Sequence, residues 1–297
     1  RLENETQQEL LYGLAGRKKQ LPFADAGEIY LNRPGWLHRM DVWRLGELNE
    51  VLGSYTLDDV REGWSVFKQV RCQNLAPATV ERFRATLQAA LNYACQEWGF
   101  DAPKLPKVKF KNERVKWLTK PQREQLLVAY PPHVRPIMLT LCFQGCRTQE
   151  ALQLRWPHLE LEAGRMYFDR TKNGEPRSVK MHPRVHAAIR EIWNARGIPT
   201  EGHVFLNRLG KPYSDTREYK YPGGNPLRKA HETACRRAAV PGFRIHDWRH
   251  HWACWCVMEG VDFETIKRMG GWKSLRMVER YAAVSTEHMD AAMAKIS

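Results

Sequence analysis

The stretch Gln144-Gly145-Cys146-Arg147-Thr148-Gln149-Glu150, followed by Leu152, Leu154 and Trp156, lies between two apolar helical patterns, Pro136–Cys142 and Gln149–Leu154. Glycine at 145 breaks the first helix, and a helix start beyond it projects its side chains outward. Arg147 and Glu150 are three apart, so with the helix begun by Arg147 they share a face and the carboxylate orients the guanidinium. The bland alternative is a surface ion pair, worth under about 1 kcal/mol. Its place directly after the break favours a phosphate clamp, because the flat fork of arginine donors matches two non-bridging phosphate oxygens.

Working outward, Thr119-Lys120-Pro121-Gln122 has the spacing of a capping box and opens a helix Pro121–Ala129. Downstream, Arg165–Asp169 and Ser178–Met181 read as two short strands around Lys172-Asn173-Gly174, where Asn-Gly is a hairpin signal. Helices resume from His182. Upstream, Phe23 to Trp98 is helical, with segments His38–Leu52, Leu57–Val70 and Thr79–Trp98. In the last, Val80, Phe83, Leu87, Ala90, Leu91 and Ala94 share one face, with Thr79 as the expected N-cap and Gly99 as the stop. Arg82 and Arg84 fall away from the centre of that face, where they are equally a solvated surface or DNA phosphate contacts. The fold class is therefore mainly α with a small antiparallel β-sheet, α+β.

Composition changes between Gly99 and Trp117. Pro103 and Pro106 interrupt helix, and from Lys104 to Lys116 the bases Lys104, Lys107, Lys109, Lys111, Arg114 and Lys116 stand against the single Glu113. This reads as a basic interdomain linker, and its lysines, together with Arg177 farther on, are candidate DNA contacts. Across the 297 residues the formal net charge is +14. Such an excess calls for a polyanionic partner, nucleic acid before others. The seven cysteines, at 72, 95, 142, 146, 235, 254 and 256, form no CxxC pair, and an odd count suits a reducing compartment better than a disulfide framework. Cys142 and Cys146 are four apart but lack a second pair, so core packing is favoured and no metal is assigned. No apolar run approaches the length of a membrane span, and the opening Arg-Leu-Glu-Asn-Glu-Thr has no signal-like character, which argues against membrane and secreted classes. The first residue is Arg1, so a further DNA-binding module ahead of it stays open.

Ordered along the chain, Arg147, Glu150, Lys172, His246, Arg249, Trp272 and Tyr281 supply arginines, a lysine, a histidine and a nucleophile, the parts needed to cut a phosphodiester without a metal. Their contexts are Gln144–Glu150, Thr171-Lys172-Asn173-Gly174, His246-Asp247-Trp248-Arg249-His250, Gly270-Gly271-Trp272-Lys273-Ser274 and Glu279-Arg280-Tyr281. Together they resemble the tyrosine recombinase or phage integrase family from about Thr119 to Tyr281. Three positions depart from the family pattern: Gln-Gly-Cys-Arg replaces Thr-Gly-Leu-Arg, Trp248 replaces the Leu of His-x-Leu-Arg, and Trp272 stands where Gly-His is common.

The resemblance implies an N-terminal tail (1–21), a SAM-like helical core-binding domain (22–100), a linker (101–116) and a catalytic domain (117–297), the two domains closing as a C-shaped clamp on double-stranded DNA. It implies that Arg147 and Arg249 clamp the phosphate, Glu150 supports them, His246 transfers protons and contacts phosphate, and Lys172 protonates the leaving 5′ oxygen. Trp272 donates its indole N–H, and Tyr281 attacks phosphorus to give a 3′-phosphotyrosyl intermediate, with nearby Arg147, Arg249 and Arg280 expected to favour its phenolate. It further implies recombination of a phage or other mobile element through Holliday junctions, and a homo-tetramer exchanging C-terminal tails such as Thr286–Ile296. DNA-bending accessory proteins, no cofactor and a cytoplasmic, nucleoid-associated location complete it.

Three rivals remain at this point. A type IB topoisomerase uses the same constellation without synapsis. The HxxxH spacing of His246 and His250 is that of zinc peptidases, but Asp247 stands where glutamate is needed. A catalytically silent DNA-binding accessory protein is the third, against which the intact series of residues argues.

Overall fold

The computed structural model describes residues 21–35, 39–99, 101–110, 115–169, 176–214 and 225–282. The chain divides into two compact units, 1–112 and 113–297. In the first, α1 (Phe23–Leu31), α2 (Arg39–Leu52), α3 (Val60–Arg71) and α4 (Pro77–Glu97) enclose one core. The core is built from the apolar face of α4, with Phe83, Leu87 and Leu91 meeting Phe23, Leu48, Leu52 and Phe67. Phe67 stacks on Trp64 at 5.7 Å and meets Phe83 at 5.2 Å. Each such side chain contributes about 1.5–3 kcal/mol on burial, so the aromatic cluster anchors all four helices.

The helix α4 starts three residues earlier than an N-cap at Thr79 implies. Ala76 is its N-cap and Pro77 occupies the first turn, where a missing N–H costs nothing. Arg84 does not face solvent. The residue is 8% exposed and its guanidinium forks onto Glu81, with Nε 2.8 and 2.9 Å from the two carboxylate oxygens. The expectation that it contacts DNA gives way to a structural ion pair, whereas Arg82 two residues earlier is exposed.

Residues 101–110 are not a loose strap. Leu105 is buried in the core of the first unit, its N–H donates to Gln88 Oε1 (2.8 Å), and Val108 N–H donates to Glu81 Oε2 (2.8 Å). The segment therefore docks along α4 and belongs to the first unit, with Lys104, Lys107 and Lys109 exposed along it. Lys111 lies outside the described residues.

The second unit opens with the capping box at Thr119 and Gln122, which starts α5 (Lys120–Ala129). Then come α6 (Arg135–Gln144), α7 (Thr148–Leu152), a 3-10 turn Trp156–His158, and strands β1 (Leu159–Glu160), β2 (Arg165–Phe168) and β3 (Arg177–Lys180). The strands form an antiparallel sheet in the order β1-β2-β3, with Met166 opposite Leu159 and Val179, and Phe168 opposite Arg177. Met166, Phe168 and Val179 point into the core while Arg165 and Ser178 face out, as the two-residue period requires. β1 is only two residues long and carries no alternation from which the sequence reveals it. The Asn173-Gly174 turn lies outside the described residues.

Helices α8 (Pro183–Ala195), α9 (Arg228–Arg237), α10 (Asp247–Met258), α11 (Phe263–Gly270) and α12 (Arg276–Glu279) complete the unit. α6 packs between α8 and α10, and α5 lies against α9. A second, smaller cluster gathers Trp252, Cys254, Val257, Ile266, Trp272, Val278 and Tyr281, and it sets the positions of the last two aromatic residues. Among the described residues no helix is long and apolar enough to cross a membrane.

Candidate active site

α6 stops because Gly145 takes a left-handed φ of 59°. A Cβ at that position would stand 2.1 Å from the Trp252 ring, so both conformation and packing demand glycine. The turn aims two groups at one place. The Gly145 carbonyl accepts from Arg249 NH1 (2.6 Å), and Arg147 follows as the N-cap of α7 with extended backbone.

Arg147 is thus not inside the helix, and the expected shared helical face is replaced by cap geometry. Glu150, at the third helical position, turns back so that one oxygen accepts the Arg147 backbone N–H (2.9 Å) and the other accepts Arg147 NH1 (2.7 Å). The same carboxylate takes Arg177 NH2 at 2.7 Å. Burial pushes the Glu150 pKa up, but Arg177, Arg147 and the backbone N–H outweigh it and hold the pKa below its ordinary value. The pair is no surface contact, since the Glu150 side chain is 4% exposed.

Arg177, expected to contact DNA, is turned inward instead. Its Nε donates to the Met269 carbonyl (2.9 Å) and its guanidinium lies 4.3 Å from the centre of the Phe168 ring. It ties β3 to Glu150 and to the end of α11, where Gly271 has φ 68° and a Cβ would come 2.9 Å from Arg177 NH1. The Gly271 carbonyl in turn accepts from Arg147 NH2 (3.3 Å).

Arg249 sits in the first turns of α10 and is 4% exposed. Its guanidinium carbon lies 3.9 Å from the centre of the Trp272 ring, a cation–π stack that fixes the plane of the fork. NH1 is satisfied by Gly145, while NH2 is buried with no hydrogen-bond partner among the described residues. Burial and the neighbouring Arg147 lower the Arg249 pKa to about 10, which still leaves it charged at neutral pH. A buried, charged donor without an acceptor is costly on its own, and it fits an anionic ligand.

Tyr281 is buried beside this group, its ring 5.9 Å from that of Trp272. Its hydroxyl is 2.7 Å from His250 Nδ1. Arg249 and Arg280 favour the phenolate as expected, but burial outweighs them and raises the Tyr281 pKa to about 12. His246 is the N-cap of α10, and its ring meets His250 edge to face at 5.1 Å. Desolvation, then the Arg249 charge, lowers the pKa of His246, so it is largely neutral at pH 7. The HxxxH spacing thus delivers His250 to Tyr281.

Trp248 also has a physical account. Its indole Nε1 donates to Tyr130 Oη (3.3 Å), Tyr130 Oη is 2.6 Å from His231 Nδ1, and His231 Nε2 reaches the Phe243 carbonyl (2.9 Å). With Nε2 protonated, every polar atom in this buried chain is paired, and the start of α10 is locked in place. The structure brings together Arg147, Glu150, Arg249, Trp272 and Tyr281, with His246 at the edge; Lys172 lies outside the described residues. Sequence reading missed His250, whose signal was the HxxxH pattern, and the buried role of Arg177.

The profile of the phage integrase family matches residues 116–288. The integrase of Salmonella phage P22 is 25% identical over 230 residues, 72% of this chain and 56% of that protein. The putative integrase of Pseudomonas phage Pf1 is 26% identical over 240 residues, 77% of this chain and 65% of that one. The chain thus spans less than two thirds of either relative. Among solved structures, the Tn1549 transposon integrase with a circular intermediate DNA superposes with a TM-score of 0.68 at 18% identity, covering 93% of this chain and 100% of that one. A lambda integrase dimer bound to a COC′ core site gives 0.66 at 15% identity, covering 87% and 75%. These likenesses establish a common fold.

Proposed function

The chain belongs to the phage integrase family, and we propose that it is a site-specific recombinase that cuts and rejoins double-stranded DNA through a 3′-phosphotyrosyl intermediate. The observation that carries this is the buried, unpartnered NH2 of Arg249, stacked on Trp272 beside Tyr281 and Arg147. A scissile phosphate taking Arg249 NH2 and Arg147 as donors satisfies the orphaned nitrogen and sits within reach of the phenol.

The chemistry then balances. Tyr281 Oη bonds to phosphorus as the bond to the 5′ oxygen breaks, and charge that grows on the non-bridging oxygens is met by the two guanidiniums and by Trp272 Nε1. His246 contacts the phosphate from the N-terminus of α10, where free N–H groups also favour an anion. Lys172 gives a proton to the departing 5′ oxygen. The phosphotyrosyl bond keeps the energy of the diester, so a 5′-hydroxyl can attack it in turn without ATP.

The reading extends to integration or excision of a phage or other mobile element on synapsed duplexes in a homo-tetramer. Tail exchange through 286–296, DNA-bending accessory proteins and a nucleoid-associated location belong to it too. The 116–288 match and the mobile-element relatives support it. The domain roles are proposed with it: 22–100 as a core-binding domain and 117–297 as the catalytic one. Incubation with supercoiled plasmids carrying one or two copies of the DNA junction flanking its own gene tests it. Recombinant circles from two-site plasmids are expected. Relaxation without recombinants points to a topoisomerase, and binding without either product points to an accessory protein.

A further inference from the structure

We infer that His250 is the proton acceptor for Tyr281: its Nδ1 takes the phenolic proton as Tyr281 Oη attacks phosphorus and returns it when the strand is rejoined. The inference rests on the proposed recombinase reading, and it moves proton transfer at the nucleophile from His246 to a residue that reading leaves unused. The contact is direct, with Nδ1 2.7 Å from the hydroxyl, and His250 is the partner of that hydroxyl among the described residues. His246 stands behind it, ring against ring, and makes no hydrogen bond to Tyr281 among the described residues.

Tyr281 is 1% exposed, so bulk water is not at hand to take the proton, and a phenol pushed up to about 12 does not release it unaided. His250 is held on α10 between the buried Arg249 and His251, which fixes its ring without help from a loop. The groups facing it are His246, Asp247 and Arg249 on its own helix and Arg280 and Tyr281 from the chain after α12. Burial, then His246 and Arg280, hold its pKa down to about 4, so at neutral pH its lone pair is free. Of the two neutral partners the phenol is the stronger acid, hence the hydroxyl donates and Nδ1 accepts.

The gap between phenol and imidazole shows when the transfer occurs. It runs uphill while the phenol is intact and becomes favourable as the oxygen bonds to phosphorus and loses its basicity. An incoming phosphate anion next to the imidazole also raises its proton affinity. The ledger is complete: the O–H bond of Tyr281 breaks, O–P forms, P–O5′ breaks, His250 gains one proton and the 5′ oxygen receives another from the leaving-group acid. Rejoining reverses each step.

The test uses nicked suicide duplexes tiling the DNA that flanks the gene, with single-turnover formation of the covalent adduct as the readout. Both His250→Ala and His250→Asn are made, because the Asn amide oxygen can sit where Nδ1 does and accept the same hydrogen bond but cannot take the proton. Gel shift on the same duplexes confirms that each variant is folded and binds. Cleavage is expected to fall about 10²-fold or more in both variants. Fluorinated tyrosine at 281, a more acidic phenol, should recover much of that loss. A 5′-bridging sulfur, which leaves without a proton, should not. Near wild-type cleavage by His250→Asn shows that the residue only positions Tyr281 and overturns the inference. Full recovery with the sulfur substrate places His250 on the leaving-group side and overturns it as well. No adduct from the wild-type protein on any duplex refutes the recombinase reading instead.

Discussion

Glu150 holds two arginines with one carboxylate, taking Arg147 NH1 on one oxygen and Arg177 NH2 on the other, each at 2.7 Å. Arg147 belongs to the proposed phosphate clamp, whereas Arg177 reaches the carboxylate from the sheet, so Glu150 couples the position of the clamp to β3. Removing one member of a buried pair leaves the other charge uncompensated, which costs about 3–5 kcal/mol. Glu150→Ala is therefore expected to lower unfolding free energy by that order in urea denaturation and to misplace Arg147, with cleavage lost. Arg177→Met removes a charge while keeping apolar bulk on Phe168, and it should retain more cleavage than Glu150→Ala.

Arg249→Lys keeps a positive charge but loses the fork that spans Gly145 and the unpartnered NH2, and most of the stack on Trp272. Single-turnover cleavage should drop about 10²–10³-fold, as for other lost transition-state donors, while equilibrium DNA binding changes little. Equal losses in binding and cleavage would mean that Arg249 recognises DNA without acting on the reaction.

Gly145→Ala meets two obstacles at once, a left-handed backbone and a Cβ 2.1 Å from the ring of Trp252. The variant should be destabilised by at least about 2 kcal/mol, combining strain and overpacking. A thermal melt of the protein checks this. An unchanged midpoint would show that α6 and α10 can separate at low cost.

His251 predicts a pH dependence. It is 1% exposed, its Nδ1 accepts the Leu118 N–H (3.1 Å), and burial holds its pKa at about 3. The unfolded value is near 6.5, so between roughly pH 6.5 and 3 the unfolded chain binds a proton that the folded one refuses. Stability is then full above about pH 6.5 and falls on acidification, by up to about 1.4 kcal/mol per pH unit for one such group. His251→Asn, which can still accept from Leu118 N–H, should flatten the slope of unfolding free energy against pH between 6 and 4. An unaltered slope would assign the acid sensitivity to other groups.

Local signals carried far in this chain. The α4 stripe, the Thr119 capping box and the strands around 165–180 all rest on near neighbours, and they are found close to where spacing puts them. The N-cap of α4 falls at Ala76 and not at Thr79, because Pro77 also offers a start and proline at the first position needs no N–H partner. Pairing across the fold was less legible. His250 meets a hydroxyl 31 positions away and Arg177 a carboxylate 27 positions back, contacts set by the packing of α7, α10 and α11. Arg84 reads as surface from helical spacing, yet it is buried against Glu81, whose carboxylate also accepts the Val108 N–H from the 101–110 segment. Charge alone does not tell a DNA contact from a buried ion pair.

In the proposed reaction Tyr281 becomes bonded to DNA. Nicked suicide duplexes from the DNA flanking the gene, incubated in EDTA and run on a denaturing gel with intact protein and Tyr281→Phe, show whether that bond forms. A slow, protease-sensitive band with the intact protein and none with the variant is the predicted result. A band that persists in Tyr281→Phe, or none with intact protein bound tightly to its site, would contradict it.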